Sequence, residues 1–500
     1  MRLHEVLTDV PYQILKGNDQ VEIEGICYDS RKAKKGDVYV CLKGVKADGH
    51  QYIDDALKRG ASAVVISETY DKMDCAGENI VWVEEGRKAL SYMSASFFRH
   101  PDKQLITIAI TGTKGKTTTA YMIYNILNHS KIKTGLIGTV EAINGEVSTQ
   151  LGNTTPESYE IWRLFREMVD NGLSCVVMEV SSQGLMCGRV EGIHFDYGLF
   201  TNLSKDHIGV NEHKNMQEYI YYKSMLFRQC ESGILNSDDD YFLDMLKYHT
   251  CTVETIGIHK EASFRATNIR RLKNTVFGVS FAVEGAAKGC YRLMMPGEFS
   301  VYNSLMAIAV CSHFNVPNQV VARSLAEIRV RGRMEYIETK RCGTVILDYA
   351  HNGISLNHIL TTLREYGSKK IICLFGCGGN RDKNRRYEMG YEAGRHADLS
   401  IITSDNPRWE EPESIIKDIV KGTEAAEGKY VCVTDRKEAI IYALSIMENT
   451  DILLLAGKGH EMYQEIMGKK YEMDERKIVE DACAESERHS KNCERNTDMR

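Results

Sequence analysis

Residues 108–120 read "IAITGTKGKTTTA", an apolar run that leads through a glycine-rich loop into a helix-forming stretch. Gly112 and Gly115 allow close backbone approach, so that amide N–H groups at a helix start can face phosphate oxygens. Lys116 can reach the terminal phosphates of a nucleoside triphosphate, and the Thr117 hydroxyl suits Mg²⁺. The first glycine lies only three positions before Gly115 instead of the usual five. The loop is therefore either a shorter kind of nucleotide site or a tight turn with a surface lysine, and the preceding strand favours the nucleotide site.

Composition limits the class of protein. The chain has 500 residues, which at about 150 residues per domain predicts about three domains. Its net charge of -6 gives no basic surface for nucleic acid, and no apolar run approaches the roughly 20 residues that span a bilayer. The N-terminus lacks the apolar segment of a signal peptide, and the 15 cysteines form no CxxC pair. We expect a soluble cytoplasmic protein with reduced thiols.

Apolar strand candidates alternate with helical segments along the chain, which predicts an α/β fold with mostly parallel sheets. The pattern suggests domains at 1–103, 104–332 and 333–485, followed by a polar tail at 486–500. The strand candidates are "DVYVCL" (37–42), "ASAVVIS" (61–67), "LITIAIT" (105–111), "SCVVMEV" (174–180), "GTVILDYA" (343–350), "KIICLFGCGG" (370–379), "LSIITSDNP" (399–407), "KYVCVTD" (429–435) and "DILLLAGKG" (451–459). Several end in Gly, Asp or Asn, where open α/β sheets bind ligands.

Motifs in a fixed order over nearly 480 residues carry a family resemblance. The loop fits T-G-[ST]-x-G-K-[ST], and the others are "YDSRKAKKGDVYVCLKG", "NTTP", "MEVSS", "TNLSKDH", "YKSMLF", "PGEFSVYN", "RGRME", "DYAHN", "GCGGNRDKNRR", "SDNPRWEEP" and "GKGHEMYQ". The chain resembles the ATP-dependent Mur ligases, which extend the peptide of the cell-wall precursor. The resemblance implies a small N-terminal α/β domain that binds a UDP-linked substrate, a central P-loop ATPase domain and a C-terminal Rossmann-like domain that binds an amino acid.

The resemblance also implies the chemistry. It is strongest to the family members that add meso-diaminopimelate to UDP-N-acetylmuramoyl-L-alanyl-D-glutamate. ATP would phosphorylate the γ-carboxylate of the D-glutamate, and an amine of meso-diaminopimelate would attack the acyl phosphate. Because phosphoryl transfer gathers negative charge, the site must supply cations, here a lysine and Mg²⁺. We expect a monomer.

The resemblance assigns the reaction centre to Lys116, Glu179, His207 and Lys223. The metal ligands would be Thr117, Glu179, His207 and Lys223, the last carrying a carbamate derived from CO₂. From the residues alone, Glu179 could be a solvated strand end, His207 an ordinary loop residue, and Lys223 a surface lysine of an amphipathic helix. Carbamylation would turn the ammonium of Lys223 into a carboxylate that can hold Mg²⁺.

Two further groups follow from the resemblance. The nucleotide contacts are Gly112, Thr113, Lys114, Gly115, Lys116, Thr117, Thr118, Asn303, Arg333 and Asp348. The contacts to the UDP-linked substrate are Tyr28, Ser30, Val45, Lys46, Ala47, Asn153, Thr154, Thr155, Ser181 and Arg189. The sequence departs from the family at Gln183, where His is usual, at Cys187, where Gln is frequent, and at Gly353, where Pro is common. The departures at Gln183 and Cys187 affect the fine contacts, not the substrate class, and no consequence follows from Gly353.

The stretch "SDNPRWEEP" indicates the choice of amino acid. Diaminopimelate differs from lysine by a second carboxylate, and Arg408 offers a fork of donors that matches a carboxylate. By resemblance the amino-acid pocket comprises Arg381, Asp405, Asn406, Pro407, Arg408, Gly457 and Glu461, with Glu461 suited to an ammonium group. Asp405 to Arg408 could instead form an ordinary turn.

Other functions remain open from the sequence. The chain could be a related ligase that uses lysine, another amino acid or a folate. It could also be a silent binding or regulatory relative, although such a protein has no physical need to retain Lys116, Glu179, His207, Lys223 and Asp348 together. Thr117 followed by Thr118, the large first domain and "DNPR" disfavour the folate version.

Overall fold

The computed structural model describes residues 1–44, 47–67, 77–206, 208–209, 212–272, 277–339, 343–367 and 370–485. The predicted tail at 486–500 therefore lies outside the described residues, as do His207, Val45 and Lys46. The chain divides into two compact units. The first comprises Met1–Asn268, Phe281–Tyr291 and Phe299–Ala326, and the second comprises Ile269–Ser280, Arg292–Glu298 and Glu327–Arg500. Within the described ranges, no helix is both long enough and apolar enough to cross a membrane.

The N-terminal part of the first unit is a small sheet with helices on both faces. Its strands are β1 (Tyr12–Lys16), β2 (Gly25–Cys27), β3 (Asp37–Val40), β4 (Ala63–Ser67) and β5 (Ile80–Val83), and its helices are α1 (Leu3–Val6), α2 (Ile53–Lys58) and α3 (Gly86–Phe97). The spatial order is β1-β5-β4-β3-β2, with β1 antiparallel to β5 and the other pairs parallel. All of β3 and β4 is buried because separate apolar clusters cover the two faces of the sheet.

The larger sheet follows from Ile106 onward. Its strands are β6 (Ile106–Thr111), β7 (Thr134–Ile137), β8 (Ala142–Ile143), β9 (Ser148–Thr149), β10 (Cys175–Glu179), β11 (Phe195–Phe200), β12 (Cys230–Asn236), β13 (Thr252–Gly257), β14 (Phe264–Arg271), β15 (Val279–Gly285) and β16 (Gly289–Leu293). The strand order is β16-β15-β14-β13-β12-β11-β6-β10-β7-β8-β9. The pairs from β7 through β10, β6, β11, β12 and β13 to β14 are parallel. Strand β6, which precedes the glycine-rich loop, therefore lies in the interior of a parallel sheet.

Helices cover this sheet and continue the chain. They are α4 (Lys116–His129), α5 (Ser158–Asp170), α6 (Ser182–Met186), α7 (Met216–Ser224), α8 (Phe242–Met245), α9 (Glu298–Ser312) and α10 (Asn318–Glu327). Short 3-10 helices occur at Ser30–Lys32, Gly49–Tyr52, Pro101–Gln104 and Met225–Arg228. Trp162 and Phe165 of α5 are fully buried in the main apolar cluster, which fixes this helix against the sheet.

The second unit contains another mostly parallel sheet. Its strands are β17 (Glu335–Glu338), β18 (Thr344–Asp348), β19 (Ile371–Phe375), β20 (Leu399–Ile402), β21 (Tyr430–Cys432) and β22 (Ile452–Ala456), and its helices are α11 (Gly353–Arg364), α12 (Asn384–His396), α13 (Pro412–Ala425) and α14 (Arg436–Ser445). The order is β17-β18-β22-β19-β20-β21, with β17 antiparallel to β18 and the other pairs parallel. A separate antiparallel hairpin joins β23 (Tyr463–Ile466) and β24 (Lys469–Glu472).

The α/β fold class and each strand candidate of the sequence analysis are confirmed. The predicted motifs follow the carboxyl ends of strands β6, β10, β18, β20 and β22. Since parallel strands place their carboxyl ends along one edge of a sheet, motifs far apart in sequence come together within each sheet: those after β6 and β10 in the first unit, and those after β18, β20 and β22 in the second.

Candidate active site

The loop between β6 and α4 requires glycine at two positions. Gly112 has φ of 148° and Gly115 has φ of 85°, both in the left-handed region. A Cβ atom at Gly112 would lie 1.9 Å from Thr201 Oγ1, and one at Gly115 would lie 2.3 Å from Asn303 Oδ1. The absence of side chains lets the loop pack tightly and leaves the first amide groups of α4 facing outward from the helix N-terminus.

The side chains of the loop are held by helix α7 and by the loop that follows β11. Thr113 Oγ1 lies 3.0 Å from Tyr219 OH, and Lys114 Nζ pairs with Asp206 at 3.1 Å. Lys116 Nζ folds over the loop and donates to the carbonyl oxygens of Gly112 at 2.7 Å and Thr113 at 3.2 Å. The structure thus gathers the predicted loop contacts, including buried Thr117, Thr118 and Asn303, around the start of α4.

Glu179, at the end of β10, is a buried carboxylate and not a solvated strand end. It is only 1% exposed and accepts a hydrogen bond from Thr117 Oγ1 at 3.0 Å. Thr139 donates to the same carboxylate twice, from its backbone N at 2.8 Å and from its hydroxyl at 3.0 Å. A buried carboxylate beside a threonine hydroxyl offers the hard oxygen donors that Mg²⁺ prefers.

Lys223 on α7 is also buried, at 1% exposure, and its Nζ donates to the Gly112 carbonyl oxygen at 2.9 Å. The alternative of a surface lysine is therefore wrong. Burial, and next the positive charge of Lys116, lower the pKa of Lys223 well below its ordinary value, although Asp206 opposes this shift. Lys116 and Lys223 meet at one carbonyl oxygen, that of Gly112.

The predicted metal ligands are described only in part, because His207 lies outside the described residues. Among the residues that are described, no three or more His, Cys, Asp or Glu side chains form a group that could hold a metal ion. The predicted ligands that are described differ in type. Thr117 and Glu179 are hydrogen-bonded to each other, and Lys223 contacts the glycine-rich loop at the Gly112 carbonyl oxygen. A metal ion at this place would therefore be bound by a hydroxyl and a modified lysine as well as by a carboxylate.

Some of the residues predicted to contact the UDP-linked substrate lie directly beside Glu179. Thr155 Oγ1 donates to the Glu179 carbonyl oxygen at 3.0 Å and to Ser181 Oγ at 3.1 Å. Arg189 Nη1 donates to the Thr155 carbonyl oxygen at 2.9 Å, whereas its buried Nε has no hydrogen-bond partner among the described residues. Thr154 Oγ1 lies 3.0 Å from Thr139 Oγ1, and Asn153 is exposed.

The remaining substrate positions lie in the N-terminal sheet. Tyr28 follows β2 and donates to Glu160 Oε1 at 3.3 Å, next to buried Ser30. Tyr28 and Glu160 line a cavity of about 720 Å³. Ala47 closes a turn by accepting from Gly44 N at 2.8 Å. Glu160 belongs to the start of α5, beside Glu157, which lies 3.7 Å from the Arg189 guanidinium, so α5 connects the two substrate groups.

In the second unit, Asp348 and Arg333 lie close to one aromatic ring. Asp348 ends β18 and accepts from Met334 N at 2.8 Å. The Arg333 guanidinium lies 4.6 Å from the centre of the Tyr349 ring, which also contacts His460 at 4.9 Å between ring centres. Burial, followed by the charges of Arg333 and Arg331, lowers the pKa of His460 to about 3.

The predicted amino-acid residues gather at the ends of β20 and β22. Asn406 Nδ2 donates to Glu461 Oε2 at 2.9 Å, and a Cβ atom at Gly457 would lie 2.9 Å from Asp405 Oδ2. Pro407 packs against Gly379, where a Cβ atom would lie 1.9 Å from the proline carbonyl oxygen.

Arg408 has a left-handed backbone with φ of 55° and donates to Gly379 O at 2.8 Å and Glu465 Oε2 at 3.1 Å. Arg381 is exposed and lies near Gly378, which also packs against Arg408. The segment is thus anchored on several sides and is more than an isolated turn.

Several residues that shape these groups were not predicted from the sequence. They are Thr139 and Tyr219 in the first unit, and Arg386, Glu410, Lys458 and Glu465 in the second. Arg386 is 1% exposed and donates twice to Glu410, which in turn accepts from Asn380 N at 2.5 Å. In the sequence these charged residues look like surface residues, whether they lie in a helix, a strand or a loop. Only the repeated charges of "NRDKNRR" and "RWEEP" could have indicated a pairing.

A parallel sheet with a glycine-rich loop at its centre, joined to a second α/β unit, defines a P-loop nucleotide-binding protein with a Rossmann-like domain. Models of the Mur ligase family match three segments: the catalytic domain at residues 22–98, the middle domain at 110–311 and the glutamate ligase domain at 332–459. The chain belongs to the Mur ligase family and is an enzyme of the ligase class.

Several relatives that match over nearly the whole chain carry the same name. The chain is 42% identical over 490 residues to the UDP-N-acetylmuramoyl-L-alanyl-D-glutamate–2,6-diaminopimelate ligase of Caldanaerobacter subterraneus subsp. tengcongensis, covering 98% of this chain and 100% of the relative. It is 39% identical to the ligase of the same name from Clostridium perfringens, covering 96% and 99%. A solved structure of a ligase with this name matches with a TM-score of 0.67 at 26% identity, over 97% of this chain and 99% of that one.

Proposed function

We propose that the protein is an ATP-dependent ligase that joins meso-diaminopimelate to the D-glutamate γ-carboxylate of UDP-N-acetylmuramoyl-L-alanyl-D-glutamate. The observation that carries this proposal is the anchored Asp405–Arg408 segment beside Glu461, in a chain 42% identical to a ligase named for these substrates. The product would be a precursor of the peptidoglycan cell wall.

In the first step, the γ-carboxylate attacks the terminal phosphate of ATP to give an acyl phosphate and ADP. Both reactants are anions, so the site must gather positive charge and fix their distance. The amide groups at the start of α4 and the ammonium of Lys116 supply donors for the phosphates. Lys116 has only to swing from the Gly112 and Thr113 carbonyl oxygens to reach them.

Thr117 and Glu179, with His207, would hold Mg²⁺, which neutralises phosphate charge when bound. The described donors suit this ion because a hydroxyl oxygen and a buried carboxylate lie 3.0 Å apart. Lys223 would join them after its neutral amine adds CO₂ to form a carbamate and release a proton. Its lowered pKa favours the neutral amine that this addition requires.

In the second step, an amine of meso-diaminopimelate attacks the acyl phosphate and phosphate leaves. Arg408, with Arg381 nearby, would bind a carboxylate of the amino acid, and Glu461 would accept its ammonium group. Lysine lacks the second carboxylate and would leave the Arg408 guanidinium without that partner. A ligase for lysine is the alternative that this contact disfavours.

We further propose domain boundaries at 1–103, 104–332 and 333–485, a monomer, and a cytoplasmic location. The matched segments at 22–98, 110–311 and 332–459 support the boundaries. The cysteines among the described residues form no disulfide bond, which suits a reducing compartment that also contains ATP.

The deciding experiment incubates the protein with the UDP-linked dipeptide, MgATP and a panel of amino acids, and follows phosphate release and product mass. We expect phosphate release only when the dipeptide and meso-diaminopimelate are both present. Equal turnover with lysine would support the alternative substrate, and turnover with a folate and glutamate would contradict the proposal.

A further inference from the structure

Lys458 is a fully buried lysine that none of the roles above uses. It follows β22 between Gly457 and Glu461 and is 0% exposed. Its neighbours Gly457 and Gly459 have φ of 111° and 52°, so the chain turns sharply at this point. Burial of an ammonium group is costly unless surrounding groups satisfy its charge and its donors. The partners of Lys458 therefore indicate what the residue does.

The ammonium of Lys458 lies among the predicted amino-acid contacts. Its Nζ donates to Asn406 Oδ1 at 2.6 Å and to the Tyr463 carbonyl oxygen at 2.8 Å. The carboxylates of Glu461 and Asp405 lie 3.6 Å and 3.9 Å away. Lys458 thus touches three residues that the sequence predicts for substrate binding, without any exposure of its own.

These contacts fix the orientation of the Asn406 amide. Its oxygen faces two donors, Lys458 Nζ and Glu465 N, the latter at 2.9 Å. A flipped amide would place its NH₂ group against an ammonium and an N–H, and would lose both hydrogen bonds. The NH₂ group must therefore point the other way, where it donates to Glu461 Oε2 at 2.9 Å.

The orientation of the Asn406 amide in turn fixes the Glu461 carboxylate. One carboxylate oxygen accepts from Asn406, and the other accepts from Tyr349 OH at 3.4 Å. With both oxygens engaged, the Glu461 carboxylate has a defined plane in which to meet an ammonium group.

We propose that Lys458 is a positioning residue for the amino-acid substrate, which orients the Asn406 amide and, through it, the Glu461 carboxylate. The inference rests on the proposed function. It adds a residue that touches no substrate to the set that determines amino-acid use, and it predicts that Lys458 and Asn406 act as one unit.

The test compares Lys458→Met with wild type, since methionine has a similar length without charge or donors. Loss of a charge-assisted hydrogen bond should raise the KM for meso-diaminopimelate by about tenfold or more. The KM values for ATP and for the UDP-linked dipeptide should change less than about twofold. Lys417→Met, at an exposed position of α13, is the matched control and should behave as wild type.

Energetic coupling between Lys458 and Asn406 distinguishes a positioning role of Lys458 from a general structural role. If Lys458 acts through Asn406, the Lys458→Met, Asn406→Ala double variant should be no more than about twofold worse than Asn406→Ala alone. Asn406→Asp provides a second test, because it keeps an acceptor for Lys458 but loses the donor to Glu461. It should raise the same KM by a similar factor even if Lys458→Met fails to fold.

The outcomes distinguish this inference from the proposed function. A wild-type protein that does not use meso-diaminopimelate contradicts the proposed function. An active wild type with unchanged KM in Lys458→Met or Asn406→Asp overturns the inference, as do independent, multiplying effects in the double variant.

Discussion

Lys223 shows how burial changes the chemistry of a single lysine side chain. An exposed lysine is a hydrated cation, whereas Lys223 lies under the glycine-rich loop and shares a carbonyl oxygen with Lys116. In the sequence it occupies an ordinary amphipathic helix, and nothing local indicates its burial. Lys458 was missed for the same reason. Which charged residues are buried depends on tertiary packing, and a motif supplies that information only where a family resemblance exists.

The role of Lys223 can be tested by removing its side chain. If a carbamate on Lys223 helps to hold Mg²⁺, Lys223→Ala should lose about 100-fold or more in kcat. A small carboxylate such as acetate, added in solution, should restore part of the rate because it replaces the missing anion. Lys247→Ala removes an exposed lysine of the same unit and serves as the control. Full activity in Lys223→Ala would show that catalysis needs no carbamate at this position.

Arg408 determines the choice of amino acid under the proposed function. A charge-assisted pair with a carboxylate contributes roughly 1.5–3 kcal/mol, so Arg408→Ala should lower kcat/KM for meso-diaminopimelate about 10- to 150-fold. Lysine use should stay equal or improve slightly, since lysine has no second carboxylate. Steady-state kinetics with both amino acids measure the preference. An unchanged preference would move specificity to Arg381 or Glu461.

His460 gives the second unit a pH-dependent stability. Its pKa is about 3 in the folded protein, against about 6.5 when exposed, with Arg333, Arg331 and the Tyr349 ring around it. Below about pH 6.5, His460 binds a proton in the unfolded chain but stays neutral in the folded protein. The stabilising contribution is therefore complete above pH 6.5 and is lost as the pH falls towards 3, by at most about 1.4 kcal/mol per pH unit.

The change should be visible in urea unfolding at pH 7 and pH 4.5. The free energy of unfolding of wild type should fall about 2.5 kcal/mol more between these values than that of His460→Gln, which cannot titrate. Equal losses in the two proteins would show that His460 does not titrate between these limits.

At the scale of elements, apolar runs predicted most of the central buried strands, whereas most edge strands and the short buried strand β7 were not predicted. Strands β6, β10, β19 and β22 are wholly or almost wholly buried, so their sequences are continuous apolar runs. Strand β24 is exposed at every position and β9 at both, so neither has a pattern to detect. The position of these loops at the carboxyl ends of the strands was predictable from the strand pattern, but contacts such as that of Thr139 with Glu179 were not.

The end of β7 supports the carboxylate at the end of β10. Gly138 follows β7, and a Cβ atom there would lie 2.4 Å from Glu179 Oε1. Since Thr117 and Thr139 hold this carboxylate, Gly138→Ala should displace it from its hydrogen bonds. Mutation of a residue that positions a metal ligand typically weakens metal affinity roughly 10- to 100-fold. We expect a corresponding rise in the Mg²⁺ concentration for half-maximal activity.

The matched control is Gly152→Ala, because a Cβ atom at Gly152 would meet nothing within 4 Å. It should leave the Mg²⁺ dependence unchanged. An unchanged dependence in Gly138→Ala as well would mean that Glu179 does not bind the ion.

At the scale of the whole molecule, the predicted substrate groups divide between the two compact units. The described contacts for the UDP-linked dipeptide lie in the first unit, and those for the amino acid lie in the second. Length and the restart of the strand pattern near residue 333 predicted a division, and the second unit resumes at Glu327. Local patterns could not show that segments 269–280 and 292–298 belong to the second unit, because such membership depends on contacts distant in sequence.

This division predicts how each substrate stabilises the protein, which hydrogen exchange can measure. A ligand at 100 times its Kd stabilises the region that binds it by about 2.7 kcal/mol, which should slow amide exchange there about 100-fold where exchange requires opening of that region. Meso-diaminopimelate alone should protect segments 376–381, 403–410 and 457–465. The UDP-linked dipeptide alone should instead protect 28–30, 153–155 and 181–189. Lysine at the same concentration is the control for the first experiment, and because it lacks the carboxylate for Arg408 it should give much weaker protection. Protection of the second unit by the dipeptide alone, or equal protection by lysine and meso-diaminopimelate, would contradict the assignment of the amino-acid site.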